Sequence, residues 1–282
     1  MKEKKILYVS SEVVPYLPEN EISSMSFEIP KMINKQGGQI RIFMPRYGNI
    51  NERRHQLHEV IRLSGINLVI DDLDMPLIIK VASIPKERIQ VYFIDNEEYF
   101  PTKQIFHDLE GDFMSNNDER MMFYCKGVIE TVRKLGWAPD IIHCQGWFSS
   151  LVPMYIKKLY HEDPLFENVK IFYSVFENSF EGMLSNSLAE KLLYEKLEEQ
   201  DVSGVIKSTI NDLHRFAIDY SDAVVQASAH INEDILSYIN SSGKMFMPYP
   251  GSDDYVDAYQ EFYDGFLEEE PETVALIEKA NE

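Results

Sequence analysis

Short apolar runs recur along the chain at residues 6–9, 40–44, 91–94, 141–143, 171–175 and 223–227. Between most of them lie longer stretches whose apolar residues recur every three or four positions. That spacing predicts helices over residues 119–135, 147–161 and 204–220. Gly136 follows the first of these where a helix is expected to stop. Alternating strands and helices predict an α/β fold with a parallel, doubly wound sheet. Residues 64–94 interrupt the alternation, and Val69-Ile-Asp-Asp-Leu followed by residues 77–81 predicts a β-hairpin with an acidic turn. No Gly/Ser-rich linker, repeat or low-complexity block precedes residue 250, so residues 1–250 are expected to form one Rossmann-like domain.

The pattern then changes. Tyr255, Tyr259, Phe262, Tyr263 and Phe266 are spaced i, i+4, i+7, i+8 and i+11, which lays five rings along one helical face. A closing helix over residues 251–267, packed on the domain, accounts for this. The alternative is a helix that docks on a partner or swaps between copies. Residues 268–282, opening with Glu268-Glu-Glu-Pro271, are expected to be an acidic solvated tail.

Charge narrows the partners. The 282 residues carry 47 Asp and Glu against 27 Lys and Arg, a formal net charge of −20. Nucleic acid and anionic membranes both want cationic surface, so neither is expected as a main partner. The acidity is concentrated at one end: residues 253–282 hold eleven acids and the single base Lys279. Two cysteines, Cys125 and Cys144, exclude a disulfide framework and a four-cysteine zinc site. The basic start, Met1 to Lys5, is followed by too short an apolar run for a signal peptide. No run reaches the roughly 20 residues needed to cross a bilayer. A cytoplasmic protein is expected. His55, His58 and His214 lack metal-ligand spacing, and no phosphate-loop, dinucleotide or Gly-x-Ser-x-Gly motif occurs, so neither metal nor cofactor is expected.

A series of motifs resembles one enzyme family. Ile6-Leu-Tyr-Val-Ser-Ser-Glu-Val-Val-Pro-Tyr16 is similar to the opening of bacterial glycogen synthases and plant starch synthases. The likeness continues through Ile29-Pro-Lys31, Gly37-Gly38 and Met44-Pro-Arg-Tyr-Gly48, then residues 91–100 and Asn117-Asp-Glu-Arg120. It ends on Gly136-Trp-Ala-Pro-Asp-Ile-Ile-His143 and on Trp147 through Leu151-Val-Pro153. The order and spacing of these motifs over roughly 150 residues carry the resemblance. It implies a GT-B glycosyltransferase that extends α-1,4-glucan from ADP-glucose, with two Rossmann-like domains facing across a cleft. This chain has the length of the first domain only. The family's diphosphate-binding arginine and lysine, and its glutamate near the glucose, lie in the second. The family's last helix crosses back onto the first domain, and residues 255–266 look like that helix, retained after internal loss of the second domain.

Where the resemblance reaches chemistry, this sequence departs from it. The family's Lys-Thr-Gly-Gly-Leu loop cradles a diphosphate with glycine backbone, helix-end amides and lysine charge. The matching positions here are Pro18-Glu-Asn-Glu-Ile22, with Pro18 for the lysine, Glu19, Asn20 and Glu21 for Thr-Gly-Gly, and Ser24 for an acid further on. A carboxylate about 5 Å from a phosphate repels it by about 3 kcal/mol at an effective dielectric near 20. The alternative is an exposed loop whose Asn20 or Ser23 caps the next helix. The family's His-x-x-Asp-Trp-His reads His143-Cys-Gln-Gly-Trp-Phe148, so Gly146 replaces the aspartate and Phe148 the final histidine. A Thr-Ile-His-Asn segment reads Ser174-Val-Phe-Glu177, with Phe176 for another histidine. Loss of polar chemistry in three segments predicts a pseudoenzyme.

Several candidates remain. Glu12 and Tyr16 stand at the carboxyl end of the first strand, where open α/β sheets bind ligands. Asp95 and Asn96 end another strand, with capping of the next segment as their alternative. His143 reads as either a satisfied structural histidine or a cleft residue. Tyr16, Tyr47 and Trp147 offer aromatic faces for sugar rings or a protein. The expected function is binding of maltooligosaccharide, glycogen or a protein partner without glucosyl transfer, and a nucleotide sugar is disfavoured. The alternatives are an active glucosyltransferase completed by another chain and a purely structural protein.

Overall fold

The computed structural model describes residues 3–177 and 179–268. The tail expected beyond Glu268 lies outside them. The strands are β1 (Lys5–Ser10), β2 (Gln39–Pro45), β3 (His58–Glu59), β4 (Ile66–Ile70), β5 (Leu73–Ser83), β6 (Gln90–Asp95), β7 (Ile141–Gln145), β8 (Lys170–Val175), β9 (Ala223–Gln226) and β10 (Met245–Met247). The helices are α1 (Glu21–Lys35), α2 (Glu52–His55), α3 (Asn117–Leu135), α4 (Leu151–Lys158), α5 (Leu188–Leu193), α6 (Glu199–Val202), α7 (Ile210–Asp219), α8 (Glu233–Ser241) and α9 (Tyr255–Glu268).

The sheet runs β10-β9-β8-β7-β1-β2-β6-β5-β3, with β4 paired to β5. All pairings from β10 to β6 are parallel. From β1 the chain winds outward through β2 to β6, then returns to place β7 on the other side of β1. The strand order therefore reverses between β1 and β7, the position at which doubly wound sheets open a crevice at their carboxyl ends.

Local chemistry explains where the elements depart from the apolar pattern. Gly136, at φ 59°, stops α3 in the left-handed conformation that suits glycine. The helix expected from residue 147 is instead a 3-10 turn (Trp147–Ser149) followed by α4, because Ser149 and Ser150 bond back three residues to Gly146 and Trp147. The helix expected from residue 204 begins only at Ile210, where Thr209 and Asp212 form a capping box. The hairpin forms around Asp71 and Asp72, with Asp71 at φ 56°. Its second strand, β5, runs on to Ser83 and pairs antiparallel with β6, so this excursion completes the main sheet and makes that flank mixed.

Registry across the sheet sets Tyr8 beside His143 and His143 beside Phe172. The rings of α9 cover these residues. Tyr259 and Tyr263 are fully buried, and Phe172 packs against Phe262, Tyr263 and Phe266 with centroids 5.5, 5.3 and 4.8 Å away. Burial of one such ring contributes about 1.5–3 kcal/mol, and several together approach the whole stability of a domain. Deletion of residues 252–282 is therefore expected to yield an aggregating chain without a cooperative melt. Tyr263→Ala should cost about 3 kcal/mol or more. An unchanged melting temperature for either variant contradicts the packing role of α9.

Candidate functional site

Two segments meet at the crevice between β1 and β7: residues 11–20, which lead into α1, and Gly146 with the turn after it. Glu12 sits just beyond β1. Its Oε2 accepts a hydrogen bond of 2.6 Å from the Asn20 side chain, and burial pushes its carboxyl pKa up while Asn20 draws it back. Asn20 also caps α1. Its Oδ1 accepts from the Ser23 amide at 2.8 Å, and the Ser23 hydroxyl accepts from the Asn20 amide at 2.8 Å. This capping box bonds the Ser23 amide, one of the free amides of the first turn, and the Asn20 amide just before it.

Acids occupy the same place. Glu21 opens α1 and accepts a short hydrogen bond from Ser228, whose hydroxyl also accepts from the Glu177 amide at 2.9 Å. Ser24 donates to Glu19 at 3.4 Å. Pro18, Glu19, Asn20 and Glu21 are all exposed. The positive end of the α1 dipole is thus fronted by carboxylates of the chain itself.

The segments at Gly146–Phe148 and around Phe176 are filled with apolar groups. Gly146 takes φ 68° and ψ −179°, a conformation open to glycine and strained for other residues. A Cβ there would touch Phe176 at 3.6 Å and Ile22 at 3.8 Å. Phe176 forms a small cluster with Met25, Ala227, Ile22 and Tyr255, linking the starts of α1 and α9. Phe148 is buried and stacks on Tyr124, with centroids 5.4 Å apart.

His143 lies beneath α9 instead of facing the crevice. It is fully buried, its Nε2 bonds the Ser174 hydroxyl at 2.7 Å, and its Nδ1 makes a short bond to the Tyr263 hydroxyl. Ser174 also bonds Tyr259 at 3.2 Å and Gln145 at 3.3 Å. Burial pushes the His143 pKa down to about 3, so the ring is neutral, donating through one nitrogen and accepting through the other. A ring with both nitrogens occupied and no exposure is a structural histidine.

The remaining candidates are structural in their contacts. Trp147 is 5% exposed, enclosed by Phe106, Phe113, Phe148 and Phe180. Tyr47 is fully buried against Phe100 and Phe106. Tyr16 packs edge-on to Phe93 and against His55. These three aromatic faces are covered and do not lie open to a sugar ring. Asp95 is held by Arg46 at 3.0 Å and Lys80 at 3.1 Å, and both cations also reach Glu52. Asn96 accepts from the amides of Glu98 and Tyr99 and donates to the Pro76 carbonyl, which makes it a cap. Glu12 is the one retained candidate that is partly exposed within the crevice. Sequence reasoning missed the Ser174–His143–Tyr263 chain and the Glu21–Ser228 bond, and the 120 residues separating His143 from Tyr263 explain why. Among the described residues no three His, Cys, Asp or Glu side chains converge in a way that could hold a metal.

A family model described as the starch synthase catalytic domain matches residues 5–245. The glycogen synthase of Chlorobium luteolum is 34% identical over 235 residues, covering 82% of this chain and 47% of the relative. That of Chlorobium limicola is 38% identical over 194 residues, covering 68% and 40%. The chain thus spans about half the length of the relatives it matches. Among solved structures, the catalytic domain of starch synthase IV from Arabidopsis thaliana, bound to ADP and acarbose, superposes with a TM-score of 0.71 at 16% identity, over 88% of this chain and 51% of that one. This last likeness concerns the fold.

Gly146→Asp should destabilise the protein by about 2 kcal/mol, because the backbone at φ 68° favours glycine. A stabilised variant contradicts that reading. His143 and His214 are both buried and neutral, with pKa values lowered by burial to about 3 and about 4. The unfolded chain takes up their protons near pH 6.5, so the stability they hold is present above that pH and lost as pH falls toward the folded values. Between pH 7.5 and 5, urea unfolding of His143→Asn should therefore show about 2 kcal/mol less pH-dependent loss than the wild type. Equal losses would mean that His143 is accessible to protons.

Proposed function

The chain belongs to the starch synthase catalytic-domain family as one Rossmann-like half of a GT-B fold, and from that premise we propose that it binds without transferring glucose. The observation that carries this reading is the state of the α1 amino end, capped by Asn20 and Ser23 and fronted by Glu19 and Glu21. A diphosphate brought there meets a capped helix end, with the Ser23 amide already bonded, and two carboxylates, so the position disfavours ADP-glucose. The replacements at Gly146, Phe148 and Phe176 support the same conclusion, since glycine and phenylalanine side chains offer neither a hydrogen bond nor a proton.

The ligand class retained under this proposal is a glucan. The related Arabidopsis domain is bound to ADP and acarbose. With Tyr16, Tyr47 and Trp147 covered, a glucan would be held from the loop rim around Glu12 and not by those ring faces. A second reading, binding of a protein partner, is favoured by Met183, Leu193, Tyr194 and Ile206, all exposed in the segment between β8 and α7.

The test is a pair of measurements on the purified chain: transfer of labelled glucose from ADP-glucose to glycogen, and retardation in maltooligosaccharide-containing gels. The expected result is retardation without transfer. Turnover by the single chain contradicts the proposal. Transfer that appears only when a second family chain is added would instead favour the reading of a glucosyltransferase completed in trans. Neither retardation nor transfer would leave the protein-partner reading.

A further inference from the structure

A pocket of about 370 Å³ has Tyr16 on one side and the turn after β5 on the other, with Arg54, His55, Lys86 and Arg88 in its lining. Its far wall is the turn after β5, where Ser83 pairs with Gln90 at the amino-terminal end of β6, opposite the strand ends that form the crevice. In a chain of net charge −20, the lining holds three permanent cations, Arg54 from α2 and Lys86 and Arg88 from the turn, and no carboxylate. Among the described residues no ion pair engages Arg54, Lys86 or Arg88. Glu87 stands between Lys86 and Arg88 in sequence but does not line the pocket, and Glu52 and Asp95 are held between Arg46 and Lys80. Three cations gathered without an ion-pair partner repel one another, and a bound anion relieves that repulsion.

Two further observations point to a ligand. Tyr16 is 5% exposed, and its hydroxyl is a buried donor without a partner among the described residues. Such a group costs free energy unless something accepts its proton. The backbone supplies the second. Gln56, Lys86 and Arg88 adopt φ of 55°, 72° and 58°, three of the seven non-glycine residues with positive φ among the described residues. Gln56 ends α2 in this conformation, and Lys86 and Arg88 take it in the turn closed by Ile84 and Ile89, which sets all three backbones around the pocket.

We propose that this pocket binds the phosphoryl group of a small phosphorylated ligand, with Arg54, Lys86 and Arg88 supplying charge and Tyr16 a hydroxyl donor. The volume suits a small molecule, and the acidity of the rest of the chain opposes a polyanion such as nucleic acid. The pocket shares Tyr16 with the loop of residues 11–20 but none of the cations that define it, so Lys86 and Arg88 separate it from the glucan reading.

The test is calorimetric titration of the full chain with inorganic pyrophosphate and, separately, with glucose 1-phosphate at fixed ionic strength. Saturable binding of at least one probe in the micromolar to millimolar range is expected. Tighter binding of glucose 1-phosphate would assign the ligand to phosphorylated sugars, and tighter binding of pyrophosphate to inorganic or nucleotide-like phosphate. Lys86→Gln combined with Arg88→Gln, both on an exposed turn, should weaken binding by at least about tenfold. The charge-matched pair Lys103→Gln and Lys207→Gln should change it by less than about twofold. Absence of binding to both probes, or binding that the Lys86/Arg88 variant leaves intact, overturns the proposal. So does binding that strengthens on Glu19→Gln with Glu21→Gln while ignoring Lys86 and Arg88, since that places the anion at α1.

Discussion

A neutral imidazole sealed in the middle of the sheet constrains much of this molecule. His143 can stay buried only if both ring nitrogens find partners, and those partners are Ser174 on the neighbouring strand and Tyr263 on the last helix. The ring also lies among Tyr8, Phe172, Tyr259 and Tyr263, with centroids 5.1 to 5.8 Å away. One polar group thereby fixes where α9 must cross and which face it presents. Removing Tyr263 would strand a buried nitrogen as well as open a cavity, and the two penalties reinforce one another.

Seating α9 in this way has a consequence at the crevice. Its first turn places Tyr255 against Phe176 and Met25, so the helix that closes the core also helps to plug the carboxyl ends of the central strands. Gly146 and Ile22 complete that plug. Beside it, Asn20, Glu19 and Glu21 give α1 the cap and the negative charge that a phosphate would otherwise bring. A helix terminus needs such partners whether they come from ligand or protein. Here the cap and the charge come from the protein, on the framework of a glycosyltransferase half.

Much of the architecture was legible in the sequence. Strand and helix alternation is a local signal, and each short apolar run became a strand within a residue or two. The aromatic spacing from Tyr255 to Phe266 likewise exposed a helical face. Helix starts were less legible: a capping box at Thr209 and Asp212 outweighed the apolar pattern that continued upstream of it. At the site, the substitutions from Pro18 to Glu21 were readable, as was the choice of Asn20 or Ser23 as a cap, because both rest on neighbours in sequence. The fates of Tyr47, Trp147 and His143 were not. Aromatic and imidazole groups serve equally as ligand platforms and as core, and only contacts between distant segments decide which. Asp95 shows the same limit, since Arg46 and Lys80, which hold it, come from two other strands or their ends.

The central claim is that α9 is an integral, sealing element over His143, and native-state hydrogen exchange tests it most directly. Amides of α9 between Tyr259 and Phe266 should exchange only through global unfolding, with protection equal to that of β7 and β8 and unchanged by ADP-glucose. Exchange of α9 at a free energy well below that of the central strands, or a rise in its protection when ADP-glucose is added, would contradict the account.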